Sequence, residues 1–395
     1  MKKNVIKGDN TMKKLIAVFC SLCLAVMLFA LSACGGGVDG TIKGNYKEAD
    51  AESYAAAMQV VSEPKVVKEG EKTFGLSVKS DFEASVKFDG KSVSVSENET
   101  ADVAIDTEKE GLAGVKAAVN AELKLKMDDK FIDTVYNAVV AAQAAQGADT
   151  FAADGEEKSE IPDIGKVDVT AKANAYVTAG NFYVDGNVKG ISDKIKALAG
   201  EEGADVIKTL EDGFKYALPQ EMILSIIGSS EYGAAIDVNS ISSIVNGLVS
   251  GLSVMDFNSA NTLLGQYGFK LYIDNGSDGL KIKLATTAEA KTTITTLVNA
   301  LLAKDVPVSE LAISKLDLEI YVAFNADDYF TGAALNVNVN ATAKVFGKTA
   351  ELNVKGAADV VVGVADVKLP SSFDGYVLPS SFDGYVNPMA GEIEE

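Results

Sequence analysis

The chain of 395 residues contains no histidine and no tryptophan, and all 36 of its basic residues are lysine. Without arginine there is no planar fork for bidentate recognition of carboxylate or phosphate. Without histidine no unperturbed side chain titrates near neutrality, and the commonest metal ligand is missing. Cysteine is confined to Cys20, Cys23 and Cys34. The body beyond Cys34 therefore has no disulfide framework, no thiolate nucleophile and no cysteine metal site. Serine and threonine are plentiful, but no imidazole is present to activate them, and no diagnostic Ser–Lys spacing is found. The Gly-x-Ser-x-Gly elbow, the phosphate loop and the dinucleotide glycine pattern are also missing. Carboxylates are the one catalytic group left in number. A paired-carboxylate hydrolase is conceivable from them, but 7% aromatics with no tryptophan makes a poor sugar platform. These absences lead us to expect a non-enzymatic protein with no cofactor and no metal site.

Positive charge is also scarce. The formal net charge is −20. Residues 1–33 hold five lysines and one aspartate, which leaves about −24 for the remainder. Such a surface repels nucleic acid over roughly a Debye length, ~8 Å at physiological salt. No nucleic-acid partner is expected.

The opening residues carry Lys2, Lys3, Lys7, Lys13 and Lys14, then an uncharged apolar run from Leu15 to Ala30. Translation from Met1 or from Met12 would preserve this arrangement. A basic start, an apolar stretch and small residues before a cleavage point describe a secretory signal. A transmembrane helix needs about 20 apolar residues, so length alone does not decide between the two. The next residues, Leu31-Ser32-Ala33-Cys34, do decide. This tetrapeptide resembles the lipobox of bacterial lipoproteins. The resemblance implies a diacylglycerol thioether on Cys34, removal of residues 1–33, and anchoring by two or three acyl chains. The membrane, reached through that anchor, is the one partner implied. The chain would face outward, on the extracellular or periplasmic side. Gly35-Gly36-Gly37 and the polar run to Asp50 read as a flexible tether, 34–50.

Beyond the tether, residues 50–62 read as a short helix. Alternation then dominates. Phe74, Leu76, Val78, Phe82, Ala84, Val86 and Phe88 fall on even positions with polar residues between them, the period of a half-buried strand. Asp89-Gly90 is a hairpin signal. Val93, Val95, Val103 and Ile105 follow, then a clean run from Val115 to Met127. Phe131, Val135 and Val139 have helical spacing, with Asp128 or Asp129 as the expected N-cap. Residues 148–163 read as a loop. Strands return at Val167–Val177 and at Phe182–Val184, and 191–267 reads as several helices. The last third resumes the alternating style at Phe269–Ile273, Leu280–Leu284, Leu316–Phe324, Leu335–Val345, Leu352–Val354 and Val360–Val362, with a helix over 288–303. At ~3.3 Å per residue, the strand from Leu335 to Val345 is about 35 Å long.

The pattern predicts an α+β fold. A long, curved, half-barrel-like antiparallel sheet, wet on one face, packs amphipathic helices on the other. Two related halves, 70–190 and 268–368, flank a helical middle, 191–267, within one domain spanning 51–368. The segment 369–395 reads as a tail. In it Leu369-Pro-Ser-Ser-Phe-Asp-Gly-Tyr-Val377 recurs unbroken as Leu378–Val386. The unit is too short for a solenoid and reads as a local duplication rather than a ligand motif. The turn Asp274-Asn275-Gly276-Ser277-Asp278-Gly279 has the oxygen donors of a calcium loop, but its twelfth position is Ala285 where a glutamate is needed. It reads as a hairpin turn.

Lipobox, long alternating strands and intervening helices together resemble the lipid-carrier lipoproteins of the LolA and LppX type. That resemblance is architectural, over most of 70–368, and transfers no binding residue. It implies an apolar ligand, a lipid or lipid-linked glycan, between the apolar sheet face and the helices of 191–266 and 288–303. The alternative is a structural or adhesive surface lipoprotein with a filled core.

Overall fold

The computed structural model describes residues 40–62, 65–66, 68, 70–106, 108–109, 111–145, 163–218, 255–302, 308–363, 366–378, 381–382 and 385–386. The first strand is the two-residue β1 (Lys47–Glu48). A meander follows of β2 (Thr73–Phe88), β3 (Lys91–Asp106), β4 (Val115–Met127), β5 (Val167–Thr178), β6 (Asn181–Lys189) and β7 (Phe214–Leu218). A second meander contains β8 (Phe269–Gly276), β9 (Gly279–Thr286), β10 (Val308–Phe324), β11 (Phe330–Val345) and β12 (Lys348–Gly363). All twelve form one open sheet in the order β1-β8-β9-β10-β11-β12-β2-β3-β4-β5-β6-β7, and every pairing is antiparallel. The expected α+β class and long antiparallel sheet are what the chain forms. The sheet does not close.

The meanders join where β12 lies against β2, with Ala350 opposite Phe88 and Gly363 opposite Gly75. The first meander runs three long strands, a helix, two shorter strands, a second helix and the five-residue β7. The second runs two short strands, a helix, then three long ones.

Helices α1 (Ala51–Ser62), α2 (Phe131–Ala145), α3 (Asp193–Asp212), α4 (Phe257–Gln266) and α5 (Ala290–Leu302) accompany the sheet. Helix α1 places Tyr54, Ala57, Met58 and Val61 on one side at spacings of three and four. They pack with Ala260 of α4 onto Leu271, Ile273, Leu280, Ile282, Val322, Phe324 and Phe330. Each fully buried aliphatic or aromatic side chain stabilises the fold by about 1.5–3 kcal/mol. A second cluster joins Phe131 and Ala138 of α2 to Phe88, with Val93, Met127, Val345 and Ala350 packed around it. Caps follow local chemistry. Ser192 Oγ accepts from Ile195 N at 3.3 Å to start α3, and Asp256 Oδ1 accepts from Ser259 N at 3.0 Å to start α4. Helix α3 is broken at Gly200, and an ion pair of 2.9 Å between Lys196 and Glu211 ties its two parts.

Several sequence expectations need correction. The stretch 191–267 is not wholly helical: Phe214, Tyr216 and Leu218 alternate in β7, an edge strand of five residues, too short to stand out beside helix-forming neighbours. Helices expected from Pro219 and over Ile241–Leu252 lie outside the described residues, as does most of the 148–163 loop. Neither Asp128 nor Asp129 caps α2 through its side chain. Asp128 Oδ2 accepts instead from Ser92 N and Oγ at 2.9 and 2.8 Å, and Asp129 pairs with Lys91 at 3.0 Å. Strand β10 begins at Val308, eight residues before the alternation becomes regular at Leu316. Register shifts between Ser309 and Ala312 and between Ile313 and Lys315 break its period.

Hairpin turns decide the register. Asp89-Gly90, Ala179-Gly180 and Phe346-Gly347 are two-residue loops with positive φ at both positions, the primed turns whose twist suits paired strands. Only Asp89-Gly90 carries the residues that usually announce one. The Asp274–Gly279 segment is the β8–β9 hairpin, with Asp278 paired to Lys281 at 2.6 Å.

The polar face is crossed by two segments. From Gly40, the stretch expected as tether lies on the sheet. A Cβ at Gly40 would meet Ala357 Cβ at 2.7 Å. Tyr46 packs on Tyr321 with ring centroids 5.8 Å apart, and β1 pairs with β8. Lys283 Nζ sits 5.1–5.9 Å from the rings of Tyr272, Tyr46 and Tyr321 and 3.3 Å from Glu319. Burial, then Asp274 and Glu319, push the Tyr46 hydroxyl up to about 12. The second crossing, on β5–β7, is made by the first copy of the repeat.

Candidate functional site

Antiparallel register puts one set of alternate residues from every strand on the face that receives α1, α2 and α4. On β2 these are the even positions from Phe74 to Phe88. Directly opposite lie Ile105 to Lys91 on β3 and Val362 to Ala350 on β12. On β4 they are Val115 to Met127, and on β5 Val167 to Val177. The result is a nearly unbroken apolar surface across neighbouring strands. Helices α1 and α4 cover it over β8–β10, and α2 covers it where β2, β3, β4, β11 and β12 converge.

Between those covers the surface is not fully packed. Leu123 is 46% exposed and Leu125 37% exposed, both on the apolar face of β4. Large apolar side chains left open on a sheet's packing face mark a surface that can receive an apolar partner.

The same region contains its one polar interruption among β2, β3 and β12. Ser80 on β2 lies opposite Glu99 of β3 and Ala358 of β12. Phe82 lies opposite Glu97 and Gly356. Ser80 is fully buried and its Oγ has no hydrogen-bond partner. Glu97 and Glu99 are two residues apart and share the face. Burial raises the Glu97 carboxyl above its usual range, with the Glu99 charge adding to it, and burial raises Glu99 likewise. Among the described residues neither carboxylate makes an ion pair. Gly356 is required where it stands. A Cβ there would meet the Phe82 ring at 2.0 Å, so the aromatic side chain occupies the space above the glycine.

The sequence reading missed Ser80, Phe82, Gly356, Glu97 and Glu99 as a group. Its signal was present as a defect. Val93, Val95, Val103 and Ile105 alternate, and the glutamates occupy the inward positions between them. That break split β3 in the reading, although the strand is continuous over sixteen residues. Cys34, the expected lipidation site, lies outside the described residues. Asp327 and Asp328 form the β10–β11 turn, with Asn325 Oδ1 accepting from Asp327 N at 3.0 Å.

A separate surface depression of about 510 Å³ runs along α4, lined by Met255, Asn258, Ser259, Thr262, Leu263 and Gln266. It lies on the flank away from Ala260 and holds no titratable group. Among the described residues no helix is long and apolar enough to cross a membrane, and no group of three or more acidic or cysteine side chains could hold a metal ion. No family model, curated protein or solved structure matches the chain.

Proposed function

We propose that this chain is a membrane-anchored, extracytoplasmic lipoprotein, attached through Cys34, that binds or carries an apolar ligand without chemical conversion. The observation that carries the ligand reading is the open apolar face around Leu123 and Leu125, between the parts of the sheet that α1, α4 and α2 cover. An acyl chain or isoprenoid lying there would remove both leucines from water at ~25 cal/mol per Å² buried. The polar notch gives the ligand an orientation. Two half-buried carboxylates without cationic partners, Glu97 and Glu99, accept hydrogen bonds from a head carrying hydroxyl or ammonium donors, as a glycolipid or an aminated lipid does. Tether length supports delivery at a membrane. Five residues, Gly35–Asp39, separate Cys34 in the sequence from Gly40, which lies against Ala357. At ~3.6 Å each they span at most about 18 Å.

The test is native mass spectrometry of the chain without its anchor, residues 38–395, followed by organic extraction. A discrete added mass that extracts as lipid supports the reading. A clean apo mass, with no uptake of fluorescent fatty acid or phospholipid, overturns it in favour of a structural or adhesive surface protein.

A further inference from the structure

We propose that the polar face over β5–β7 is a binding groove for the nonapeptide Leu-Pro-Ser-Ser-Phe-Asp-Gly-Tyr-Val, and that the two tandem copies in the tail are interchangeable occupants of it. The first copy shows what the groove reads. Phe373 stacks on Tyr183 with centroids 3.9 Å apart and planes 18° apart, and meets Tyr176 edge-on at 5.8 Å. Tyr376 stands edge-on to Tyr183 at 5.5 Å. Its hydroxyl donates to Asp185, and Lys215 Nζ lies 5.5 Å from its ring. Burial and the Asp185 carboxylate hold that hydroxyl protonated as a donor. Val377 then adds to the sheet edge. Its carbonyl accepts from Ala217 N at 2.9 Å and its N–H donates to Lys215 O at 3.2 Å. Stacking, one charge-assisted hydrogen bond and strand addition are the recurring elements of peptide recognition.

Every residue of this recognition recurs nine positions later. Phe382, Tyr385 and Val386 correspond to Phe373, Tyr376 and Val377, with Ser381, Asp383 and Gly384 in the matching places. Tyr376 N donates to Phe373 O at 3.3 Å in the first copy, and Phe382 pairs with Tyr385 in the two-stranded β13–β14 (Ser381–Phe382 and Tyr385–Val386) of the second. One groove and two identical ligands on one chain make two docked registers with the same contacts. They differ in linker length. From Gly363 to the docked phenylalanine there are ten residues in one register and nineteen in the other. Closing a loop about twice as long costs roughly a factor of three in population. The first copy is favoured and the second remains a populated alternative. Both outcompete the same peptide on another molecule, because a tethered ligand acts at an effective concentration near millimolar.

The test uses four versions of the full chain: wild type, Phe373→Ala/Tyr376→Ala, Phe382→Ala/Tyr385→Ala, and the quadruple variant. Hydrogen exchange across β7 reads occupancy, since the Ala217 amide is bonded to the docked copy. Disabling the first copy should lower protection by no more than about fourfold, the ratio of both registers to the minor one. Disabling the second should change it by less than about 1.5-fold. The quadruple variant should lose protection by more than tenfold, and the synthetic nonapeptide added in excess should restore it. The proposal is overturned if the first-copy variant loses as much protection as the quadruple one. It is equally overturned if the nonapeptide fails to restore protection, or if the first-copy variant keeps protection only by dimerising in sedimentation.

Discussion

Three glutamates on two neighbouring strands are pushed in opposite directions. Glu97 and Glu99 on β3 face the apolar side, and burial raises both carboxyls. Glu122 on β4, beside Asn98, faces the polar side between Lys124 and Lys172, which hold its carboxyl down at about 2. The residue type is the same and the backbone is equally extended. The parity of the position decides which face it meets, and the face decides whether charge is solvated and paired or stripped of water. The polar face is a ladder of such pairs, among them Lys87 with Glu351 and Lys283 with Glu319. The exposed pairs, such as Lys87 with Glu351, contribute little stability individually. They keep a broad acidic surface soluble while the other face remains free for apolar contact.

The contrast can be broken most severely at the packing beneath the notch. Phe82→Ala removes the ring that covers Gly356 and packs against Ala358, Leu335 and Val337. A loss of about 3 kcal/mol or more in urea unfolding is expected. Gly356→Val forces its side chain into that ring and should cost about 1–3 kcal/mol. In the double variant the two losses should be less than additive, because the ring that causes the clash is gone.

Next comes ligand capture. Leu123→Lys with Leu125→Lys should leave unfolding within about 0.5 kcal/mol of wild type, as both sites are open. Uptake of fluorescent phospholipid should fall by roughly tenfold, since each charge must be desolvated to admit an acyl chain. Unchanged uptake would move the ligand away from β4.

A smaller effect is expected at the notch. The folded state raises the carboxyls of Glu97 and Glu99, so it binds protons more readily than the unfolded chain there. Their stability penalty is absent below about pH 4.3, the ordinary value. It grows as pH rises through the raised folded values and persists above them. Glu97→Gln with Glu99→Gln should therefore raise the urea midpoint at pH 7 and lose that advantage under acid. Glu122→Gln should do the reverse by the smallest margin. The contribution of Glu122 is present above about pH 4.3 and disappears as pH falls toward about 2. Its removal should slightly lower the midpoint at pH 7 and leave it unchanged at low pH. A midpoint that moves the same way in both variants would erase the distinction between the faces.

Much of the sheet was legible. Alternation located β2, β4, β5, β8, β9 and β11 within a few residues, because a sheet with one apolar face writes a period of two into each strand. It failed where the face itself is interrupted. Strand β3 broke at Glu97 and Glu99, β12 at Gly356, and β10 at its bulges. Each defect has a tertiary reason: unpaired acids on an apolar face, an aromatic ring over a glycine, an extra residue that bends a strand. Two of the three interruptions form the notch, so the places where local rules fail coincide with the candidate site. The turn Phe346-Gly347 was silent for a different reason. Its first residue adopts positive φ without the asparagine or aspartate that usually signals it.

By itself the sequence determined the alternation, the charge of each face and the hairpins announced by Asp-Gly. These depend on residues near one another in the chain, and side-chain parity needs no partner to be read. Tertiary structure alone decided that β12 pairs with β2 to fuse two meanders into one sheet, that Glu97 and Ser80 share a face with Phe82, and that a duplicated tail segment has a receptor on β5–β7. Each joins residues far apart in sequence, where no local period carries the information and long-range pairing must first overcome the entropy of closing the loop between them.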